Sequence, residues 1–184
     1  MIGETVSHYR ILELLGEGGM GEVYLAEDTT LGRRVAMKFL SSTTREYRAR
    51  FLREARAVST LTHPNIATVF DYGETSKGQP YIVMEFIKGE PLSDKLREGS
   101  LPLPEAVRIV SHIAEALGEA HHQGVVHRDV KPSNVVITDR GQVKVLDFGL
   151  AKALEEETPS ASMQNSPTLT IGATKAGMIL GTAA

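Results

Sequence analysis

Two stretches of the sequence set side chains at spacings that could handle a proton and a phosphate. The octet His127-Arg128-Asp129-Val130-Lys131-Pro132-Ser133-Asn134 places a lysine two residues and an asparagine five residues after an aspartate. Those three supply a proton acceptor, a cation for a phosphate and a hard oxygen ligand. His-Arg-Asp alone would be an ordinary charged loop; the whole octet narrows the chemistry. Eighteen residues past Asp129 comes Asp147-Phe148-Gly149. By itself this could be a β-turn exit with a capping aspartate and a glycine at positive φ. Beside the octet it reads as a magnesium-binding carboxylate followed by a packing switch.

A third stretch, Gly16-Glu17-Gly18-Gly19-Met20-Gly21, has the spacing G-x-G-x-x-G, which lets backbone amides approach phosphates closely. Dinucleotide binding would require a helix after the glycines. Glu22-Val23-Tyr24-Leu25-Ala26 alternates as a strand instead, so the glycines are expected at a hairpin tip. Lys38 stands seventeen residues past Gly21. Strand alternation puts it on the face of the small Ala36, with room above it. Glu54 falls on or beside the apolar stripe of the next helical stretch, where a carboxylate needs a partner. Lys38 and Glu54 are expected to pair, the glutamate holding the ammonium toward a phosphate.

The elements that must position these groups follow from periodicity. Alternation predicts strands at 9–15, 22–28 and 33–40. Thr43-Thr44-Arg45-Glu46 reads as a capping box, and Tyr47, Phe51, Ala55 and Val58 continue a helix to about residue 61. His63-Pro64 ends it. Strands at 66–72 and 81–86 come next, then a short helix at 92–97. A long helix at 104–123 carries the stripe Ala106, Val110, Ile113, Leu117 and Ala120 and stops at Gly124. A hairpin at 134–138 and 142–146 flanks Asp139-Arg140-Gly141. From residue 154 the chain reads as a long loop rich in Ser, Thr, Pro and Gly. Strands, a helix, more strands and then mainly helix suggest two lobes of an α+β fold.

Composition removes other classes. At 184 residues, 41% hydrophobic and 23% charged, the chain is neither fibrous nor wholly disordered. A formal charge of −3 argues against a nucleic-acid partner, so phosphate contacts must be local. The absence of cysteine excludes disulfides, cysteine–zinc clusters and thiol catalysis, and fits a reducing compartment. Met1-Ile2-Gly3-Glu4 opens no secretory signal, and no run approaches the ~18–20 apolar residues of a membrane helix.

With all these motifs present in order, the chain resembles the N-terminal portion of a eukaryotic-like (Hanks-type) bacterial serine/threonine protein kinase, whose signature set they match. The resemblance implies a bilobal α+β fold. Residues 1–87 would form an N-lobe and hinge, with a five-stranded antiparallel sheet and one main helix. Residues 88–184 would form a partial, mainly helical C-lobe with a catalytic loop at 127–134 and an activation segment at 147–184. It implies ATP and Mg2+ as cofactors and phosphoryl transfer to serine or threonine hydroxyls of protein substrates. Leu15, Val23, Ala36 and Val136 would sandwich the adenine, and Met84 would guard the back pocket. The Glu85 carbonyl and Ile87 amide would read the base edge, beneath the loop of Gly16, Gly18 and Gly21. Lys38, held by Glu54, would grip the α- and β-phosphates, while Asn134 and Asp147 would hold magnesium. Asp129 would orient and deprotonate the substrate hydroxyl, and Lys131 would neutralise the γ-phosphoryl. Val58, Phe70, Phe148 and His127 match the stacked spine of active members; ordinary core is an equal reading for Val58 and Phe70.

Arg128, beside Asp129, suggests regulation by a phosphate on the later segment, with Thr174 the leading candidate and Thr170 and Thr168 behind it. Thr182 matches instead the threonine near the catalytic aspartate. The apolar, glycine-punctuated ending at 177–184 and the missing later motifs lead to the expectation of a chain cut within the domain. Two readings therefore stand: the catalytic half of an ATP–protein phosphotransferase, or a nucleotide-binding or interaction fragment without turnover. A small-molecule kinase of related fold is a third. The expected setting is the cytoplasm, or the cytoplasmic face of a membrane.

Overall fold

The structure is a computed structural model that describes residues 1–18, 21–40 and 45–148. An antiparallel sheet of six strands comes first: β1 (Thr5–Val6), β2 (Tyr9–Gly18), β3 (Gly21–Asp28), β4 (Arg33–Leu40), β5 (Val69–Glu74) and β6 (Pro80–Glu85), in the order β1-β2-β3-β4-β6-β5. Five of these match the strands read from alternation. The sixth, β1, is a two-residue edge pairing Thr5 with Arg10, too short to leave a pattern.

Alternation along β4 decides what lies on each side of the sheet. Val35, Met37 and Phe39 pack with Tyr9, Ile11, Tyr24, Tyr81 and Val83 on one face. Ala36 and Leu40 pack on the other with Ile82, Met84 and two residues of helix α1 (Arg45–Val58), Phe51 and Ala55. Both faces of β4 are thus buried, and Lys38 is carried into the interior on the α1 side. The turn before β4 is held by Asp28, which accepts from the Thr30 and Leu31 amides at 3.1 and 3.0 Å and from Arg33 Nε at 3.3 Å. Burial acts to raise the Asp28 pKa, but these donors outweigh it and hold the carboxyl below its usual range.

The glycine-rich stretch is a hairpin tip, with Gly18 opposite Gly21. Gly21 has φ +126°, and a Cβ there would lie 1.9 Å from the Phe39 carbonyl oxygen. Backbone strain and overpacking each cost roughly 1–3 kcal/mol. Gly21→Ala should therefore lower the melting temperature clearly, whereas Gly16→Ala, whose Cβ meets nothing within 4 Å, should leave it nearly unchanged.

Helix α1 ends at Val58, earlier than periodicity suggested. Ser59 Oγ and Thr60 Oγ1 donate to the carbonyls of Arg56 and Ala57 at 2.9 and 2.8 Å, satisfying orphaned acceptors of the last turn. The second half contains β7 (Gly89–Pro91), α2 (Leu92–Glu98), α3 (Leu103–His122), β8 (Val135–Thr138) and β9 (Val143–Val145). The β8–β9 pair is the expected hairpin. Strand β7, three residues ending in proline, was not legible, and it completes a sheet in the order β7-β8-β9.

Helix α3 corrects one expectation. Val110, placed on the buried stripe, is 63% exposed, while its neighbour Ile109 is 2% exposed and packs on Leu92, Val135 and Val143. The helix is apolar on more than one side, so two stripes about 100° apart share its helical period. Ala120 of the expected stripe is buried and Ile113 and Leu117 pack beside it, while the core extends toward Ile109 and Ala116 in place of Val110. Gly124, at φ +75°, stops the helix as expected, the Val125 amide bonding back to Ala120 O at 2.8 Å.

The segment between α1 and β5 joins the two halves. Ile66 forms a parallel bridge with Val145, and the Ala67 and Val145 amides bond Val145 O and Asn65 O at 2.9 and 2.8 Å. Asn65 Nδ2 adds a bond to Val143 O at 2.8 Å. Strand β9, which leads to Asp147, is therefore anchored to the segment that runs into β5.

Candidate active site

The loop after Gly124 is organised around the buried His127. Its Nε2–H donates to Leu146 O at 2.8 Å, and its Nδ1 accepts the Asp129 amide at 3.2 Å. That pattern requires the neutral ring. The ring stacks, tilted, 4.6 Å from Phe148, a core role rather than a catalytic one. Burial is the main cause that pushes the His127 pKa below its ordinary value of 6.5, against hydrogen-bonding and carboxylate contributions that act the other way. As pH falls, the unfolded chain takes up the imidazole proton first. Stability is therefore full above about pH 6.5 and declines below it, toward the lower folded-state value. Denaturant midpoints should drop as pH falls below about 6.5, and His127→Tyr should shallow that limb; equal slopes in both proteins would place the acid loss elsewhere.

Asp129 lies at the centre of the loop. Its Oδ2 accepts from Lys131 Nζ at 2.6 Å and from Asn134 Nδ2 at 3.1 Å. Asn134 Nδ2 also reaches Asp129 O at 2.9 Å. Burial acts to raise the Asp129 pKa, but the Lys131 bond and charge, with Asn134, outweigh it and keep the carboxyl below its usual range. Asn134 closes a single 3-10 turn, Pro132–Asn134, and its carbonyl accepts the Leu146 amide at 2.8 Å. One backbone bond thus ties the octet to the residue before Asp147.

Lys38 does not pair with Glu54. Its ammonium, 6% exposed, sits 2.7 Å from Asp147 Oδ2. Glu54 Oε1 lies 3.4 Å from an Arg128 guanidinium nitrogen, and Glu54 Oε2 is buried without a hydrogen-bond partner among the described residues. The physical reason is a competition of two carboxylates for one ammonium. Asp147 and Arg128 both have left-handed backbones, φ +57° and +68°, which turn the Asp147 carboxylate back toward β4 and the Arg128 guanidinium toward α1. Such conformations cost about 1–3 kcal/mol each and persist only when the surroundings impose them.

The expected spine is met at three of four positions. Val58 and Phe148 share a buried cluster, and His127 stacks on Phe148. Phe70 instead is 38% exposed, its ring 3.8 Å beneath the Arg33 guanidinium. The neighbour Val69 packs toward Val58 and Phe148; β5 alternation gives that face to the smaller residue. Val69 also lines, with Val58, Ala67, Ile82, Met84, Asp147 and Phe148, a small gap between α1 and the sheet with room for about one water.

Of the residues expected around a base, Val23, Ala36 and Met84 pack together. Leu15 is 44% exposed, within the register irregularity between Leu14 and Gly16. Val136 is buried on β8 opposite Lys144, and Ile87 and Glu85 are half-buried where the chain leaves β6. Gly19, Met20, Gly149, Thr168, Thr170, Thr174 and Thr182 lie outside the described residues.

The donor set suits a hard cation. With Asn134 Nδ2 committed to Asp129, the amide oxygen carries the remaining acceptor capacity, and Asp147 Oδ1 is the oxygen not used by Lys38. Among the described residues no three or more His, Asp or Glu side chains gather to hold a metal by themselves. One carboxylate and one amide oxygen match magnesium, which keeps waters and takes further oxygens from substrate phosphates. Two site-related residues escaped the sequence reading: Arg128 as the partner of Glu54, and Lys144, buried between two valines and paired with Glu85 at 2.9 Å. The charge in Val143-Lys144-Val145 was the available signal for the second.

Comparison with known proteins shows what this arrangement is similar to. Residues 9–170 match the protein kinase domain family. The serine/threonine-protein kinase PknA of Mycobacterium tuberculosis is 44% identical over 191 aligned positions, covering 99% of this chain and 41% of that protein. PrkC of Bacillus subtilis is 44% identical over 86% of this chain and 25% of its own length. The chain thus spans less than half of the curated relatives it matches. Among solved structures, the PknI kinase domain of Mycobacterium tuberculosis superposes with a TM-score of 0.73 at 37% identity, covering 82% of this chain and 63% of that one. Rad53 in complex with AMP-PNP gives 0.70 at 31% identity, over 78% and 38%.

Proposed function

The chain belongs to the protein kinase family, and from that premise we propose that it binds Mg-ATP between its two sheets and transfers the γ-phosphoryl to serine or threonine hydroxyls of proteins. The observation that carries this is one continuous set of contacts: Lys131 and Asn134 on Asp129, Asn134 to Leu146, and Asp147 to Lys38. Rad53, a structural neighbour, is seen with an adenine nucleotide, which supports the same ligand class here.

In this reading Asn134 and Asp147 would hold the magnesium, which when bound would offset phosphate charge. Lys38 holds Asp147 and meets the phosphates, while Val23, Ala36 and Met84 supply apolar surface for the base. Asp129, ionised at neutral pH, accepts a hydrogen bond from the incoming hydroxyl and orients it. The hydroxyl oxygen bonds to the γ-phosphorus as the bond to the β-phosphate oxygen breaks, ADP departs, and the hydroxyl proton passes to Asp129. A carboxyl held below its usual pKa is a weak base, so orientation is its larger contribution and the proton moves late, as a loose transition state permits. Lys131, released from Asp129 by the incoming group, offsets charge on the transferred phosphoryl. The division into lobes at residue 87, a cytoplasmic setting and self-phosphorylation at Thr174, Thr170 or Thr168 belong to the same proposal.

A second reading, nucleotide binding without turnover, is favoured by one observation: Glu54 is on Arg128 and not on Lys38. Incubating the chain with Mg2+, γ-labelled ATP and a serine/threonine-rich acceptor protein separates the two. Labelled phosphoserine or phosphothreonine supports the first, nucleotide binding with no transfer supports the second, and the absence of both sinks them together.

A further inference from the structure

Lys144 is a buried ammonium to which the chemistry above gives no task. It lies on β9 between the fully buried Val143 and Val145, three residues before Asp147, and is 7% exposed. Its Nζ is 2.9 Å from Glu85 Oε2 and 3.4 Å from Ile66 O. Glu85 Oε2 also accepts the Thr68 amide at 3.2 Å, and the Glu85 amide donates to Thr68 O at 2.8 Å. One cation therefore joins the strand that feeds Asp147, the segment between α1 and β5, and the end of β6, where the chain leaves the six-stranded sheet.

A lysine is a costly choice for that place. An apolar side chain at this buried position would carry no desolvation penalty, and a buried ion pair is often no more stabilising than its hydrophobic replacement. The backbone ladder between residues 65–67 and β9 already holds the two halves together. What the ammonium adds is a second, charged hold on Glu85 Oε2 beside the Thr68 amide.

We propose that Lys144 is a positioning residue that, through the Glu85 carboxylate, fixes the backbone at residues 85–87 for reading an adenine edge and couples it to the turn bearing Asp147. This rests on the adenine-nucleotide reading above. Backbone at residues 85–87 that is free to shift would lose its discrimination between bases, whereas the phosphate end, held by Lys38 and Asp147, would keep its affinity.

Calorimetric titration of the whole chain with Mg-ADP and Mg-GDP tests it, with thermal stability recorded alongside. Lys144→Met should weaken Mg-ADP binding about tenfold, the lower end of what loss of an outer-shell partner costs, and Mg-GDP binding much less, so that adenine preference falls. Glu85→Gln should act in the same direction, the double variant should be no worse than Lys144→Met, and Lys144→Arg should restore most of the preference. Should Lys144→Met fail to fold, Glu85→Gln and Lys144→Arg carry the comparison. Unchanged adenine preference in the folded variants, or a loss that Lys144→Arg does not mend and that only follows melting temperature, overturns the assignment. A wild-type chain that binds neither nucleotide removes the adenine reading and this proposal with it; a wild type that binds while Lys144→Met binds equally well removes only the role of Lys144.

Discussion

Asp129→Asn is expected to lower phosphoryl transfer by about 10²–10⁴-fold, the range for loss of a positioned acid–base group, while nucleotide affinity changes little. The replacement keeps the shape and can still meet Lys131 and Asn134, which now contact Asp129 at 2.6 and 3.1 Å. It cannot take the hydroxyl proton, and its amide presents a donor where the incoming hydroxyl needs an acceptor. The Asp129 backbone bond to Asn134 Nδ2, 2.9 Å, is untouched, so the Asn134 amide oxygen stays in place. Steady-state transfer measured beside Mg-ADP titration checks both halves. Transfer that persists undiminished would remove Asp129 from the mechanism.

Lys38→Met should reduce both nucleotide affinity and transfer, and it should also reveal which carboxylate the lysine serves. Removing one partner of a buried pair costs about 3–5 kcal/mol because the other charge is left uncompensated. Asp147, 26% exposed on its side chain, retains some water, so a loss of roughly 1–3 kcal/mol is the fitting expectation. A double-mutant cycle without nucleotide, Lys38→Met with Asp147→Asn, should show coupling of about 0.5–3 kcal/mol, and the matching cycle with Glu54→Gln should show almost none. The reverse ranking would contradict the pairing described here.

The relative strengths around α1 make the Glu54 contact exchangeable. Burying Phe51, which docks α1 on Leu40, Ile82 and Met84, is worth about 1.5–3 kcal/mol. The partly exposed Glu54–Arg128 pair contributes about 0–1 kcal/mol. The helix stays docked through its apolar face whichever cation holds the glutamate, and an unsatisfied, buried Glu54 Oε2 favours a better partner.

Wherever an element is specified by neighbours along the chain, the sequence was a good guide. The hairpin tip at Gly18 and Gly21, the β8–β9 turn, the stop at Gly124 and the octet around Asp129 all depend on contacts spanning a few residues. Periodicity likewise separated the two faces of β4. Phe70 and Val110 show the limit of that signal. Alternation and helical spacing say which residues share a face but not how far the core extends around it, so the aromatic Phe70 is expected where Val69 packs and Val110 where Ile109 does.

Residue types and order thus determined the chemistry by themselves: a glycine hairpin, an interior lysine, an Asp-Lys-Asn loop and a later aspartate, arranged as in a protein kinase. Only the tertiary structure decided who pairs with whom. Lys38 chose Asp147, 109 residues away, over Glu54; Arg128 took the glutamate; and Lys144 was drawn to Glu85. Several carboxylates and cations of equal formal charge compete in such a site. Left-handed backbone at Arg128 and Asp147 and the placement of β9 against residues 65–67 settle which of them come within reach, and no local spacing encodes those distances.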